Sequence, residues 1–445
     1  MISVPNHRQP LSGNKLILVF LVMISLAVWS CGSTSHTTVQ QKNTITKNMD
    51  SVKTVTIEKE HNTDTKPNTH SDTIQPDAKG KYWTKKNTYN LAFILPFSTD
   101  EAELNKLMGE ENITGYQPLA SLEFYEGALM ALDTLKAMGL NLNVTVYNHL
   151  KDSMATALLT HSEEFKKMDL VIGPVFNEGL KGAMPSSAEN EVYMISPLSP
   201  SGIAYPNPYL IMANAPIATQ LHALLKYAME DEPHANFVVV YRNDKPNEVK
   251  LANEFKAAFS GINISCTLKE AYNISGISSS LNNAGNYVFI ASSDELYVNG
   301  LVRDLSKTGR DNNITLLSLQ NMLAFESISL DYFENLHLHY PTSYWVDPLS
   351  PHVQQFNDVF TIRYGIRPSD FAYRGYDITL YFGSLLKDYG PDLAKDISQP
   401  NPALKYLLYP FYFAPNAGDD KQVRFIENTS ISILKYENYR FEKVN

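Results

Sequence analysis

Apolar residues gather in short unbroken runs: "NLAFILPF" (90–97), "LNVTVY" (142–147), "LVIGP" (170–174), "EVYMISP" (191–197), "FVVVY" (237–241), "NYVFIAS" (286–292) and "ITLLSL" (314–319). Each is followed by a stretch long enough for a helix. Strands with one wet face alternate apolar and polar residues, whereas unbroken runs belong to strands buried on both faces, so the pattern predicts parallel sheets flanked by helices. The helical stretches carry their own period. In "LEFYEGALMALDTLKAMG", Leu122, Tyr125, Leu129 and Leu132 fall on one face, and Gly139 is placed as a C-terminal stop. Residues 86–445 are too many for one small domain and suit two of ordinary size. The expected class is α/β, with two Rossmann-like lobes.

In open parallel sheets, ligands gather beyond the carboxyl ends of the strands. The loops expected there are "PFST", "GPVFN", "SPLSPSG", "YRND" and "SSDE", rich in hydroxyls, amides and aromatics. They supply the candidate ligand-binding residues Phe97, Ser98, Asn177, Ser196, Ser199, Tyr241 and Ser292. The same residue types cap helices and close turns without any ligand, so in "MDLVIGPVFNEGL" (168–180) Asn177 fits both readings.

The N-terminal segment sets the compartment. Arg8 and Lys15 precede "LILVFLVMISLAVW" (16–29), which is shorter than the roughly 20 residues that span a bilayer and has the length of a secretory h-region. It ends in "VWSCG", which resembles the lipobox of bacterial lipoproteins, with Cys31 as the acylated residue. An ordinary cleavage site that contains a cysteine is the alternative. From Gly32 to Lys85 the chain turns to Ser, Thr, Asn, Gln and Lys, too polar to offset the entropy of ordering, and reads as a tether. The only other cysteine, Cys266, sits in apolar-leaning "NISCTL" and reads as packing. Of 37 basic and 47 acidic residues, 27 and 41 lie in 86–445, a net charge of −14 that argues against a nucleic-acid partner.

Five segments in register carry a resemblance. "FYEGALMALD" (124–133), "DLVIGP" (169–174), "VYMISPLSPS" (192–201), "NPYLIMANAP" (207–216) and "PSDFAYRGYD" (368–377) are similar to type I periplasmic binding proteins of the leucine/isoleucine/valine-binding kind. The resemblance implies two lobes joined by three hinge crossings, near 207–216, near 337–344 and in the hairpin "QVRFIENTSISILKYENYRF". After the signal peptide (1–31) and tether (32–85), it implies the first part of lobe 1 (86–210), lobe 2 (211–340) and a return to lobe 1 (341–445) with the C-terminal hairpin near the hinge and lobe 2. In that family the cleft closes on a small solute by hinge motion. Asn177 stands near the place of one carboxylate-holding serine of the amino-acid binders, and Ser199 resembles another. "YRNDKPNEVK" places Arg242 and Lys245 where those binders carry an aromatic-glycine pair, and no acidic residue matches an ammonium holder.

Together these features imply a non-enzymatic lipoprotein without cofactor that binds a small polar solute, an amino acid or similar, for an ABC importer. Anchored through Cys31 in the outer membrane, it would face the periplasm, because neither an acidic cluster nor an aspartate follows the cysteine. The alternative is a cell-envelope interaction module, similar to lipoprotein activators of cell-wall synthases, with a vestigial cleft and an envelope protein as partner. Catalysis finds no support: the chain lacks Gly-x-Ser-x-Gly, His-Glu-x-x-His, a phosphate-binding loop and Gly-x-Gly-x-x-Gly. His337 and His339 would share a strand face with no third metal ligand nearby. Asp370 reads as an N-cap, Asp377 as a solvated or hinge-facing acid, and Tyr373 and Tyr376 as packing between lobes. The 98–118 loop, long for a compact domain, is functional or disordered.

Overall fold

A computed structural model describes residues 74–76, 82–97, 117–148, 152–175, 177–200, 206–262, 265–283, 285–393, 397, 405–418 and 421–445. Cys31, Ser98 and most of the 98–118 loop lie outside them. Within the stretch read as a tether, β1 (Ile74–Pro76) pairs antiparallel with β2 (Tyr82–Thr84).

Two seven-stranded sheets make up the rest of the strand structure among the described residues. The first contains β3 (Tyr89–Leu95), β4 (Leu142–Asn148), β5 (Leu170–Ile172), β6 (Met194–Ser196), β7 (Leu210–Met212), β13 (Phe413–Ala417) and β14 (Val423–Asn428), ordered β13-β14-β7-β6-β5-β3-β4. The second contains β8 (Asn236–Val240), β9 (Thr267–Ala271), β10 (Asn286–Ile290), β11 (Ile314–Leu317), β12 (His339–Thr342), β15 (Ser432–Glu437) and β16 (Arg440–Lys443), ordered β16-β15-β12-β11-β10-β8-β9. All pairings within these two sheets are parallel except β13–β14, β12–β15 and β15–β16. This is the α/β class expected from the unbroken runs. On β3, Leu91, Phe93 and Leu95 enter one apolar cluster while Ala92 and Ile94 enter another, so both faces are buried.

Chain crossings make the hinge. The backbone leaves sheet one after β7 and enters α4 (Ile217–Asp231), whose Leu221 and Leu224 pack with Phe237 of sheet two. It returns after β12 to α9 (Pro351–Tyr364), whose Phe356 and Phe360 pack with Phe93 of sheet one. A final passage joins β14 to β15 through residues 429–431. Three crossings therefore link the lobes, as the resemblance implied.

In lobe 1, α1 (Gln117–Ala137) lies against α10 (Asp370–Tyr389). A Cβ on Gly127 would stand 1.9 Å from the Ala372 carbonyl oxygen, and one on Gly375 would stand 1.8 Å from that of Phe124, so only glycine lets the backbones meet here. That crossing rotates the buried stripe of α1: Phe124, Ala128, Ala131 and Leu135 are buried, whereas the expected Leu122 is exposed and Tyr125 and Leu132 are only partly covered. Gly139 does end the helix region, at φ +87°. Tyr373 and Tyr376 pack on Phe356 within lobe 1 rather than between lobes. Ser369, not Asp370, caps α10, accepting from Phe371 N at 3.2 Å.

Candidate functional site

The lobe 1 mouth is built where β3, β5 and β6 end. Gly173 turns the chain at φ +109°, pressed so closely on β3 that a Cβ would come within 2.3 Å of the Ile94 carbonyl oxygen. The Gly173–Pro174 bond is cis. Beyond this turn α3 (Asn177–Asn190) begins, with Asn177 at its first position rather than at its cap. The Asn177 oxygen is engaged elsewhere: Ser199 Oγ, from the loop after β6, donates to Asn177 Oδ1. Two residues 22 apart in sequence thus meet because adjacent parallel strands deliver their ends together. Phe97, after β3, donates its N–H to Asn148 Oδ1 at 2.8 Å and sets its ring edge on Tyr125. Ser196 does not join them. It is fully buried, on the β6 face that carries Met194 into the cluster with Leu180 and Ala183, and its hydroxyl has no hydrogen-bond partner.

The lobe 2 mouth is charged and closed on itself. Arg242, just after β8, sends Nε to both oxygens of Glu248 at 3.1 Å and Nη1 to Asp294 at 2.9 Å, while its guanidinium lies 4.2 Å from the centre of the Tyr297 ring. Glu248 belongs to α5 (Pro246–Ser260), and Asp294 caps α7 (Glu295–Asn312). Ser292 donates to Glu248 Oε1 at 2.7 Å and accepts from the Asp294 N–H at 3.1 Å. Burial alone would raise the Glu248 carboxyl, but Arg242 and Ser292 outweigh it and hold the carboxyl below its ordinary value. Glu248 and then Asp294 in turn raise the Arg242 guanidinium. A hollow of about 250 Å³ beside the cluster is lined by Ile217, Glu248, Leu251, Ser292, Ser293 and Asn321. Tyr241 is absent from it: its ring packs in the core and its hydroxyl donates to Glu270 on edge strand β9.

Polar side chains clasp the crossings. Asn428, at the end of β14 and fully buried, donates through Nδ2 to the carbonyls of Ala213 and Ser343 at 3.1 Å each and accepts from Ser430 N at 2.9 Å. One amide therefore touches all three passages. Ser343 Oγ also donates to Asn214 Oδ1, and Thr219 Oγ1 donates to Glu427 Oε2 at 2.7 Å. Beside the second passage, Asp377 is fully buried and accepts from Tyr344 OH at 2.7 Å and from the N–H groups of Leu408 and Tyr409, both at 2.9 Å. Burial pushes its carboxyl up to about 7 against those three donors. Of its two expected settings, the hinge-facing one holds. Sequence reading passed over Asn428, Arg374 and the Glu248 pairing. Only "YRNDKPNEVK", with an acid six residues after an arginine on a helix start, carried a signal for any of them.

With both mouths and the hinge described, similarity to known proteins decides the family. The family model for periplasmic binding proteins matches residues 114–406. The chain belongs to the periplasmic binding proteins. No curated protein matches the chain. Among solved structures, it is similar to an ABC transporter substrate-binding protein from Desulfitobacterium hafniense in complex with Leu, at 17% identity and TM-score 0.54, over 80% of this chain and 100% of that one. A putative branched-chain amino acid ABC transporter from Rhodospirillum rubrum is similar at 15% identity and TM-score 0.57, over 80% and 100%. A leucine-binding protein from Thermotoga maritima aligns at 16% identity and TM-score 0.50, over 80% and 98%. These likenesses show the type I periplasmic binding protein fold. Among the described residues no helix is long and apolar enough to cross a membrane, and no group of three His, Cys, Asp or Glu is placed to hold a metal. His339 is buried with Nδ1 on the His337 carbonyl at 2.7 Å, and His337 lies before the strand at φ +46°, so the two do not share a strand face.

Proposed function

We propose that this chain is an envelope solute-binding lipoprotein that takes a small polar molecule between its lobes and presents it to an ABC importer. The observation that carries the reading is the Ser199–Asn177 pair, which sets two small polar side chains at the strand ends of one lobe while a clasped three-passage hinge supports the other. Phe97 and Asn148 complete an uncharged wall beside it. The similar proteins named above, described as ABC transporter or leucine-binding proteins, support the same role. Cys31 would carry the acyl chains, and the chain from 32 to the β1–β2 pair would give a span on the order of 35 Å from the outer membrane.

A thermal-shift screen of amino acids, sugars and small peptides tests the reading, because a ligand at 100 times its dissociation constant adds about 2.7 kcal/mol. No shift across the panel would sink transport. A second reading, an envelope interaction module with a vestigial cleft, gains support from the lobe 2 mouth, where Arg242, Glu248 and Asp294 satisfy one another. For the anchor, Cys31→Ser should abolish incorporation of labelled palmitate. Incorporation that persists would remove Cys31 as the lipid site.

A further inference from the structure

Among the described residues Arg374 is the one buried lysine or arginine, only 8% exposed. It lies on the first half of α10, and its guanidinium rests 5.2 Å from the centre of the Tyr344 ring at the second passage between lobes. Its Nε has no hydrogen-bond partner, and no carboxylate pairs with it among the described residues. A buried cation is ordinarily paired, since removing it from water without a counter-charge is strongly unfavourable, and stacking on one tyrosine offsets only part of that. The acids nearest along the helix do not pair with it. Asp377 gives its oxygens to Tyr344 OH and two backbone N–H groups. Asp370, at the start of α10, makes no hydrogen bond or ion pair with Arg374 among the described residues, and the Tyr344 ring beside Arg374 lies on the second passage between lobes. At the lobe 2 mouth the Arg242 guanidinium is already engaged by Glu248 and Asp294.

Resting on the solute-binding reading, we propose that Arg374 receives the carboxylate of the solute, so that the ligand is a small organic acid and its recognition does not depend on an ammonium group. The guanidinium fork matches a carboxylate with two parallel hydrogen bonds. The Tyr344 ring beside the guanidinium suits an organic body better than a bare inorganic ion.

Calorimetric titration of the full chain with hexanoate, benzoate, their amides hexanamide and benzamide, and inorganic phosphate tests this, alongside Arg374→Met. The expected result is binding of at least one acid, at least tenfold weaker binding of its amide, and at least tenfold loss in Arg374→Met with a melting temperature equal to or above that of the wild type. Acid and amide binding alike, phosphate binding alone, acid binding retained in the variant, or a lower melting temperature marking a structural partner would each overturn the assignment. If none of these probes binds but a sugar or peptide does, Arg374 is not the receptor and the solute-binding reading stands. If nothing in either panel binds, both fall.

Discussion

The two mouths occupy equivalent positions, at the carboxyl ends of parallel strands, and differ in what their side chains do. In lobe 1, Phe97, Asn148, Asn177 and Ser199 are uncharged, and hydrogen bonds join Phe97 to Asn148 and Ser199 to Asn177. In lobe 2, Arg242 is held by two carboxylates and a tyrosine ring, and Ser292 completes the lattice. The contrast teaches that equivalent positions in the fold can carry opposite chemistry, neutral side chains at one set of strand ends and paired charges at the other. Lobe 2 uses its charges to hold its own loops, whereas lobe 1 sets neutral side chains at its strand ends.

Removing the lobe 2 charge lattice should have the largest effect. Arg242→Ala leaves Glu248 buried beside no cation and is expected to destabilise the fold by about 3 kcal/mol in urea denaturation. Arg242→Lys, which keeps charge but not the fork, should fall between. A loss below about 0.5 kcal/mol would place the pair among exposed ion pairs and erase the contrast.

The hinge comes next. Asn428→Ala strips the donor from two carbonyls, with an expected loss of about 1–3 kcal/mol. The same variant should raise amide hydrogen exchange at 213–216 and 429–431; unchanged exchange there would show that the clasp does not hold the passages.

Asp377 gives a pH signature. Its folded-state carboxyl titrates at about 7, above the ordinary value of 3.8, so the folded protein keeps a proton that the unfolded chain gives up. Its stabilising contribution is therefore complete below pH 4 and is lost as pH rises through 7. The stability of the wild type relative to Asp377→Asn should shrink across that window and level off above it. Buried His339, pushed down to about 4 chiefly by burial, slopes the other way, but it is common to both proteins and cancels in the difference. A flat difference from pH 4 to 8 would contradict the assignment.

Ser199→Ala is the mildest change, since it removes one donor from the partly exposed Asn177. A loss of about 1 kcal/mol or less is expected, together with weaker solute binding.

Much of the architecture was legible because strands buried on both faces must be written in apolar residues, as β3, β8 and β10 are. Edge strand β9, with Lys269 and Glu270 exposed, carries no such run and escaped notice. The α1 stripe was misplaced because Gly127, silent in a hydrophobic pattern, decides which face meets α10. Among candidate site residues, the sequence placed strand ends but not side-chain directions. Ser196 and Tyr241 sit at the right ends, yet one faces the interior and the other reaches the sheet edge. Asn428 and Arg374 were illegible because their roles come from chain passages up to 215 residues apart.

The central claim, that the lobes close on a solute held from the lobe 1 side, is tested most directly by small-angle X-ray scattering of the full chain with and without the strongest thermal-shift ligand. The account predicts a smaller radius of gyration on saturation, with the ligand-induced change lost in Ser199→Ala at a ligand concentration that saturates only the wild type. Saturable binding with an unchanged radius, or an equal contraction in the variant, would contradict it.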